Sequence, residues 1–437
     1  MAGSRRGDGA SVALLGLGCR VSRSDLDALA STLRTPFALC EKGEGADYVV
    51  VYTCTVTADA DAATRQAIRR AAREHPGAAI VVAGCYAEVR PEELRNLPGV
   101  AAVVGRGTAG DLEEILLSLH ARRGAATAPP PKVRSPAPGR APLPFHHTRA
   151  FLKVEDGCDA ACAYCIIPRA RGPARSLPFE EALGHVETLG RESPEVVLSG
   201  VHLGAYGRDL VPPRSLQDLV TAVERRDLCR RLRLSSIEPL EVPLALFERP
   251  MAGALCEHLH LPLQSGSDPV LAAMRRPYLA RDYAYTVERV ARSVAGICLG
   301  ADVIAGFPGE TEGDHRATLA LLEGLPVAYL HVFPFSARPG TAAAQMPHQV
   351  PAAIARERAG ELRAFSRNRW RAFSAAHVGR EVEVVVERVR GGYATGTART
   401  YLSVRWRAAG ERRGELARVR VEAVAEDVCL GTRVPCG

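Results

Sequence analysis

Gly157-Cys158-Asp159-Ala160-Ala161-Cys162-Ala163-Tyr164-Cys165 decides how this chain is read. Three cysteines stand in a CxxxCxxC spacing, with an aromatic residue just before the last. Three thiolates so spaced can hold three irons of a [4Fe–4S] cluster and leave the fourth iron open. A zinc site is the alternative, but zinc sites come as CxxC pairs with a further ligand nearby, and no second pair follows here. The stretch follows the first strand-like run of a region from Phe151 to about Phe335 in which strand-like and helical stretches alternate. Examples are Glu195–Ser199, Leu232–Ser236, His258–Leu261, Ala301–Ile304 and Tyr329–Phe333. Alternation of this kind predicts a parallel sheet with crossover helices, open or barrel-like. Active groups then belong at the carboxyl ends of its strands.

Three further cysteines each end an apolar run. Cys19 follows Val12–Leu17, Cys54 follows Tyr48–Tyr52, and Cys85 follows Ile80–Ala83. These short runs read as parallel strands of a separate α/β unit, with helical stretches between them such as Ala58 to His75, stopped by Pro76-Gly77. In a parallel sheet the loops at the carboxyl ends gather on one edge. Cys19, Cys54 and Cys85 are therefore expected to converge as a second three-thiolate set. Any one of them alone would read as a buried packing cysteine. Cys40, Cys229, Cys256, Cys298, Cys429 and Cys436 show no ligand spacing and are read as packing residues.

Composition fits a reduced, cytoplasmic enzyme. The chain has 437 residues, 12 cysteines and a net charge of +7. That length suggests two to four domains. No apolar stretch reaches the roughly 18 residues of a membrane span, and the polar start Met1–Asp8 shows no signal peptide. Thiols stay available for iron in such a compartment.

The chain divides into four. Residues 1–124 form the first α/β unit. Residues 125–148 carry Pro129-Pro130-Pro131, Pro136, Pro138, Pro142 and Pro144, and are expected to be an extended linker. Residues 149–374 hold the second α/β region and end in an arginine-rich helix from about Ala352. Residues 375–437 alternate as strands at Val382–Glu387, Leu402–Trp406 and Ala417–Val421, which reads as a small antiparallel β-barrel of a kind that often binds nucleic acid. Its arginines attract phosphate, and Tyr393, Tyr401 and Trp406 are candidates to stack on bases. The competing reading makes these aromatics the filling of the barrel. No iron ligand is expected beyond residue 377, so the barrel should be removable with both thiol sets left intact.

Taken together, the motifs resemble those of the radical-SAM methylthiotransferases over nearly the full chain. They are Leu17-Gly18-Cys19, Thr53-Cys54-Thr55-Val56-Thr57, Gly84-Cys85-Tyr86, Gly157-Cys158 through Cys165-Ile166-Ile167-Pro168, Leu198 through Gly204, Leu234 through Pro239, His260 through Asp268, and Asp302 through Thr311. The resemblance implies an α/β fold with an amino-terminal α/β cluster domain, a radical-SAM partial (β/α) barrel and a carboxy-terminal TRAM-like barrel. Within the family, Thr53 through Asp61, Arg169 through Ser176 and His331 through Ser336 are similar to the branch that modifies threonylcarbamoyladenosine in tRNA. Other branches act on isopentenyladenosine in tRNA or on a ribosomal-protein aspartate. A non-catalytic iron–sulfur RNA-binding protein is the alternative of another class. Ser22, Tyr52 and Asp159 stand where the family usually has asparagine.

The resemblance also implies the chemistry. Two [4Fe–4S] clusters are expected, on Cys158, Cys162 and Cys165 and on Cys19, Cys54 and Cys85. The first reduces S-adenosyl-L-methionine and releases a 5′-deoxyadenosyl radical; the second holds the sulfur to be inserted, and another S-adenosylmethionine gives the methyl group. Gly200, Ser236, Glu238, Gln264 and Gly306, near predicted strand ends, are candidates to line the cosubstrate site. Glu238 is the one that could accept ribose hydroxyls, unless it serves only as a helix N-terminal charge. Arg169, Arg171, Arg175, Tyr393, Tyr401 and Arg405 are candidates for the RNA surface. The expected partners are tRNA, an electron donor such as flavodoxin or ferredoxin, and a sulfur donor, with no membrane.

Overall fold

Tyr48-Val49-Val50-Val51-Tyr52-Thr53 is β-branched or aromatic throughout and buried on both faces, the composition of a central strand in a parallel sheet. The computed structural model that contains it describes residues 10–33, 36–40, 45–105, 107–124, 148–249 and 253–435. The linker expected over 125–148, apart from Thr148, and Cys436 lie outside these residues. The described residues fall into two units: those up to Gly124 together with Ile166–Pro173, and those of 148–165 together with Ala174 onward.

In the first unit five strands lie parallel in the order Phe37–Leu39, Ala10–Gly16, Tyr48–Thr53, Ala79–Gly84, Val100–Val104. The chain starts inside the sheet, steps to one edge, then returns across the first strand to build the other side. Such an order has a switch point between its first strand and the strand that reverses direction, and ligands bind outside the carboxyl ends there. Here that point lies between Ala10–Gly16 and Tyr48–Thr53. Alternation sends Val12, Tyr48, Val50 and Val81 to a core under the helices Arg20–Thr32 and Ala109–Gly124, and Val49, Val51, Ile80 and Val82 to a core under Ala58–Glu74. That last helix begins where Thr57 caps it by accepting from the Ala60 N–H, and carries Asp59 and Asp61 in its first turn.

The second unit contains six parallel strands. Ala150–Lys153, Val196–Ser199 and Leu232–Leu234 pair in one run, and His258–His260, Cys298–Ala305 and Tyr329–Pro334 in another. Parallel bridges Leu232↔Leu255 and Ser236↔His260 join the two runs. Helices Phe179–Glu192, Leu216–Arg225, Ala280–Ser293 and Glu312–Gly324 cross between strands, which makes this the expected partial (β/α) barrel. Cys229, Cys256, Cys298 and Cys429 are buried, as packing residues are; Cys40 is half-buried.

The helix Ala352–Ala375 leads into a closed five-stranded barrel of Glu381–Arg390, Tyr393–Ala398, Ser403–Arg407, Leu416–Ala425 and Val428–Arg433. Its pairs are antiparallel except Ser403–Arg407 with Val428–Arg433, which run parallel. Trp406 fills its core, 1% exposed, with its indole N–H donating to Glu411 at 3.1 Å, so it is not a stacking residue for bases. Nor is the barrel a detachable appendage. Arg231 and Arg233, both fully buried, grip Glu195 at 2.6 and 2.7 Å and donate to the carbonyls of Thr397 and Ala398 in the barrel. Arg399 returns the contact by pairing with Glu257 at 3.0 Å. Burial alone would raise the Glu195 carboxyl; the Arg233 and Arg231 guanidinium groups override it and hold it down to about 2. Among the described residues no helix is long and apolar enough to cross a membrane.

Candidate iron–sulfur and cosubstrate site

Cys158, Cys162 and Cys165 sit on the loop beyond the strand Ala150–Lys153. The loop turns at Gly157, whose φ of +86° suits glycine. Its backbone is pinned from both sides, by Ala163 N–H donating to the Met274 carbonyl at 2.9 Å and by Ala343 N–H donating to the Ala163 carbonyl at 2.8 Å. The three thiols stay half-exposed. Donors face two of them. The Arg276 guanidinium reaches the Cys162 sulfur at 3.2 Å, and His202 Nδ1 lies 3.6 Å from the Cys158 sulfur. Cys158 and Glu241, which His202 meets at 2.8 Å, push this imidazole up to about 10. Tyr164 joins Phe307, Phe335, Ile304 and Met274 in an apolar wall beside the thiols.

The five cosubstrate candidates lie along the carboxyl ends of the strands, but several are already engaged. Glu238 ion-pairs with Arg276. Gly200 makes room for Glu155, whose Oε2 would stand 2.8 Å from a Cβ there. Gly306 makes room for Ala355, which a Cβ would meet at 2.3 Å. The close approaches at these two glycines are thus made by protein groups. Gln264, 8% exposed with a φ of +67°, extends the sheet through its backbone, donating to the Asp302 carbonyl at 2.8 Å. Ser236 is exposed at a strand end.

The second set is gathered at the switch point of the first unit. Cys19 caps the helix Arg20–Thr32, Cys54 follows the strand Tyr48–Thr53, and Cys85 opens the helix Cys85–Val89. The pairs Gly16↔Tyr52 and Thr53↔Gly84 bring the three strand ends side by side. Burial pushes the Cys54 thiol up to about 11, and Cys19 and Cys85 are near enough to add to that rise. A cationic group among the three would reverse the trend. Burial also raises Cys85, against the pull of Arg171, whose Nε donates to its sulfur at 3.2 Å. Arg171 is 6% exposed and also pairs with Asp25 at 3.2 Å, so this expected RNA contact is buried beside a thiol. Two departures from the family pattern fall here as well: Tyr52 donates to Asp25 at 3.0 Å, and Ser22 Oγ lies 3.7 Å from the Cys19 sulfur. The third, Asp159, accepts from the Ala174 N–H at 3.3 Å. Among the described residues only His260, Asp302 and His331 have donor atoms all within 4.8 Å of one another; neither cysteine trio is drawn in that tightly, as a single ion would require.

The remaining RNA candidates separate. Arg169 and Arg175 are exposed. Tyr393 is 45% exposed, with the Arg405 guanidinium 4.3 Å above its ring. Tyr401 instead stacks on His258 at 4.3 Å, with Arg233 5.4 Å from its ring, and helps join the barrel to the parallel strands. Sequence reading passed over Arg276, which lies in no quoted motif, and His202, whose motif gave no sign that it would meet a thiol.

Residues 11–105 match a family described as uncharacterized protein family UPF0004, and residues 152–322 match the Radical SAM superfamily. The threonylcarbamoyladenosine tRNA methylthiotransferase MtaB of Bacillus subtilis (strain 168) is 34% identical over 397 residues, covering 86% of this chain and 85% of its own. The tRNA-2-methylthio-N(6)-dimethylallyladenosine synthase of Cereibacter sphaeroides (strain ATCC 17025 / ATH 2.4.3) is 34% identical over 428 residues, covering 95% and 97%. Among solved structures, the radical S-adenosylmethionine methyltransferase TsrM of Kitasatospora setae shares the fold with a TM-score of 0.56 at 16% identity, over 77% of each chain. With relatives this similar over this much of both chains, and a radical-SAM segment carrying the CxxxCxxC loop, the chain belongs to the radical-SAM methylthiotransferase family.

Proposed function

We propose that this chain converts N6-threonylcarbamoyladenosine at position 37 of tRNA to its 2-methylthio derivative, with one [4Fe–4S] cluster on Cys158, Cys162 and Cys165 and a second on Cys19, Cys54 and Cys85. Membership of the family makes it an enzyme that uses S-adenosylmethionine and an iron–sulfur cluster; the second cluster is part of the proposal. The observation that carries it is the gathering of three thiols at the switch point of the first unit's parallel sheet, in a chain whose second unit separately carries the CxxxCxxC loop at a strand end. When bound, the clusters and S-adenosylmethionine supply the radical that opens an unactivated C–H bond, the sulfur and the methyl group. The chain's own part is to hold and screen. Arg276, His202 and Arg171 point N–H groups at thiols, which steadies thiolate ligands and tunes what they bind. A cytoplasmic setting, an electron donor of the flavodoxin or ferredoxin kind, and a separate sulfur donor belong to the same reading.

The choice of nucleoside rests on the stretches Thr53–Asp61, Arg169–Ser176 and His331–Ser336. Identity does not separate the branches, since the dimethylallyladenosine synthase is as similar as the threonylcarbamoyl enzyme. Nucleoside mass spectrometry of tRNA from a strain with and without this protein decides between them. Loss of the methylthio group from threonylcarbamoyladenosine is expected; loss from isopentenyladenosine instead would overturn the choice.

Replacing Cys54 with Ala removes one thiolate from the second set only. Release of 5′-deoxyadenosine should continue while methylthiolated RNA falls below detection. Full product formation with turnover would make Cys54 a structural residue. On the barrel, Arg405→Ala should lower the salt dependence of tRNA binding by about one phosphate's worth of counterion release. An unchanged slope would remove Arg405 from the RNA surface.

A further inference from the structure

The sheet of His258–His260, Cys298–Ala305 and Tyr329–Pro334 has two unlike faces. Leu259, Leu299, Ala301 and Val303 are buried on one, as suits a face covered by helices. The other carries a chain of polar side chains. His258 Nε2 meets the Tyr329 hydroxyl at 2.9 Å, the same hydroxyl meets His260 Nδ1 at 3.1 Å, His260 Nε2 meets Asp302 at 2.9 Å, and Asp302 meets His331 Nδ1 at 3.3 Å. His258 and His260 are buried, whereas the His331 side chain is 51% exposed. Burial would raise Asp302, but the two imidazoles facing it hold its carboxyl well below the usual range. Burying this many polar groups costs stability that aliphatic packing would not, so the row has a use other than filling the sheet.

Position says what the use is. Residues 329, 331, 333 and 335 share one face of their strand. At its far end Phe335 stands in the wall with Tyr164, inside the CxxxCxxC loop. Phe333 is 37% exposed and lies about 7 Å along the strand from Phe335, and His331 about 13 Å, at the ordinary rise per residue. An aromatic ring and a carboxylate-backed imidazole are therefore presented in order along the face that leads to the radical-generating loop. The first is an exposed ring of the kind on which a base can stack. The second can bridge two carboxylates, Asp302 behind it and one on the ligand in front.

Resting on the substrate proposed above, we infer that His331 is a specificity-determining residue that holds the carboxylate-bearing N6 substituent of the target adenosine, with Asp302 positioning it and Phe333 stacking beneath the base. The test uses the reconstituted full-length enzyme and two anticodon stem-loops, one carrying threonylcarbamoyladenosine and one carrying adenosine. The ratio of their dissociation constants is the readout. The wild-type chain should favour the modified RNA roughly 10- to 100-fold, the factor of one charge-assisted hydrogen bond. In His331→Ala that ratio should fall to near one, and His331→Gln, which keeps a donor, should retain part of it. A ratio undiminished in both variants overturns the role of His331 and leaves the substrate standing. A wild-type ratio of one overturns the substrate itself, and this inference with it.

Discussion

Replacing Cys158, Cys162 and Cys165 together with Ala is expected to abolish 5′-deoxyadenosine release and to lower the iron of the fully reconstituted chain from about eight atoms to about four. The loss should be complete, because no other described group stands where those thiols do and three ligands vanish at once. The chain should still fold. The loop keeps the backbone anchors of Ala163 at 2.9 and 2.8 Å when the sulfur contacts of Arg276 and His202 are lost. The remaining four irons should keep the absorbance of a cluster on the first unit. A parent chain that never takes up more than four irons would sink the two-cluster proposal while leaving the family assignment in place.

Glu195→Gln should destabilise the second unit by about 3–5 kcal/mol, the cost of leaving buried charge without its partner. Glu195, Arg231 and Arg233 are all fully buried, so neither guanidinium can turn to water for compensation. Both trytophan-based signals, from Trp370 in the long helix and Trp406 in the barrel core, report on this unit during denaturant unfolding. The pH dependence has a definite sign. The folded acid lies near 2, below its unfolded value of about 4.3, so the ionised form is the one folding favours. Its contribution is fully present above about pH 4.3 and is lost as the pH falls towards 2. Glu195→Gln should flatten the fall in stability across that window. An unaltered midpoint and an unaltered acid profile would show that the buried triad contributes nothing.

The parallel strands were legible because their apolar runs are continuous and end in small or polar residues, as at Tyr48–Thr53 followed by Cys54. The convergence of Cys19, Cys54 and Cys85 followed from topology alone, since every strand end of a parallel sheet reaches the same edge. Two barrel strands were passed over. Tyr393–Ala398 is built of small residues and threonines, and Val428–Arg433 is interrupted by Gly431, so neither shows the alternation that marked the other three. Single side chains were less legible still. Arg171 sits in an arginine-rich stretch that looks like a surface for phosphate, yet it is buried against Cys85. Tyr401 and Trp406 carry the same composition signal as Tyr393, and only packing separates the ring left exposed from the two that are used internally. Charge and aromaticity mark a domain's tendency; which residue faces outward is fixed by partners far away in sequence.

The grip of Arg231 and Arg233 on the barrel carbonyls also sets an order of events during synthesis. The partners of these arginines at Thr397 and Ala398 lie 166 and 165 residues further along. At ribosomal speeds of roughly 5–20 residues per second, the six parallel strands, complete only at Pro334, wait about 3–13 s for the segment that closes them. Through that interval two guanidinium groups and one face of Tyr329 stand open on an otherwise finished sheet. A nascent chain of this protein is therefore most exposed to mispairing late, when it is nearly complete, and a stall or a premature stop after residue 380 leaves a product that has made most of its core and cannot shut it.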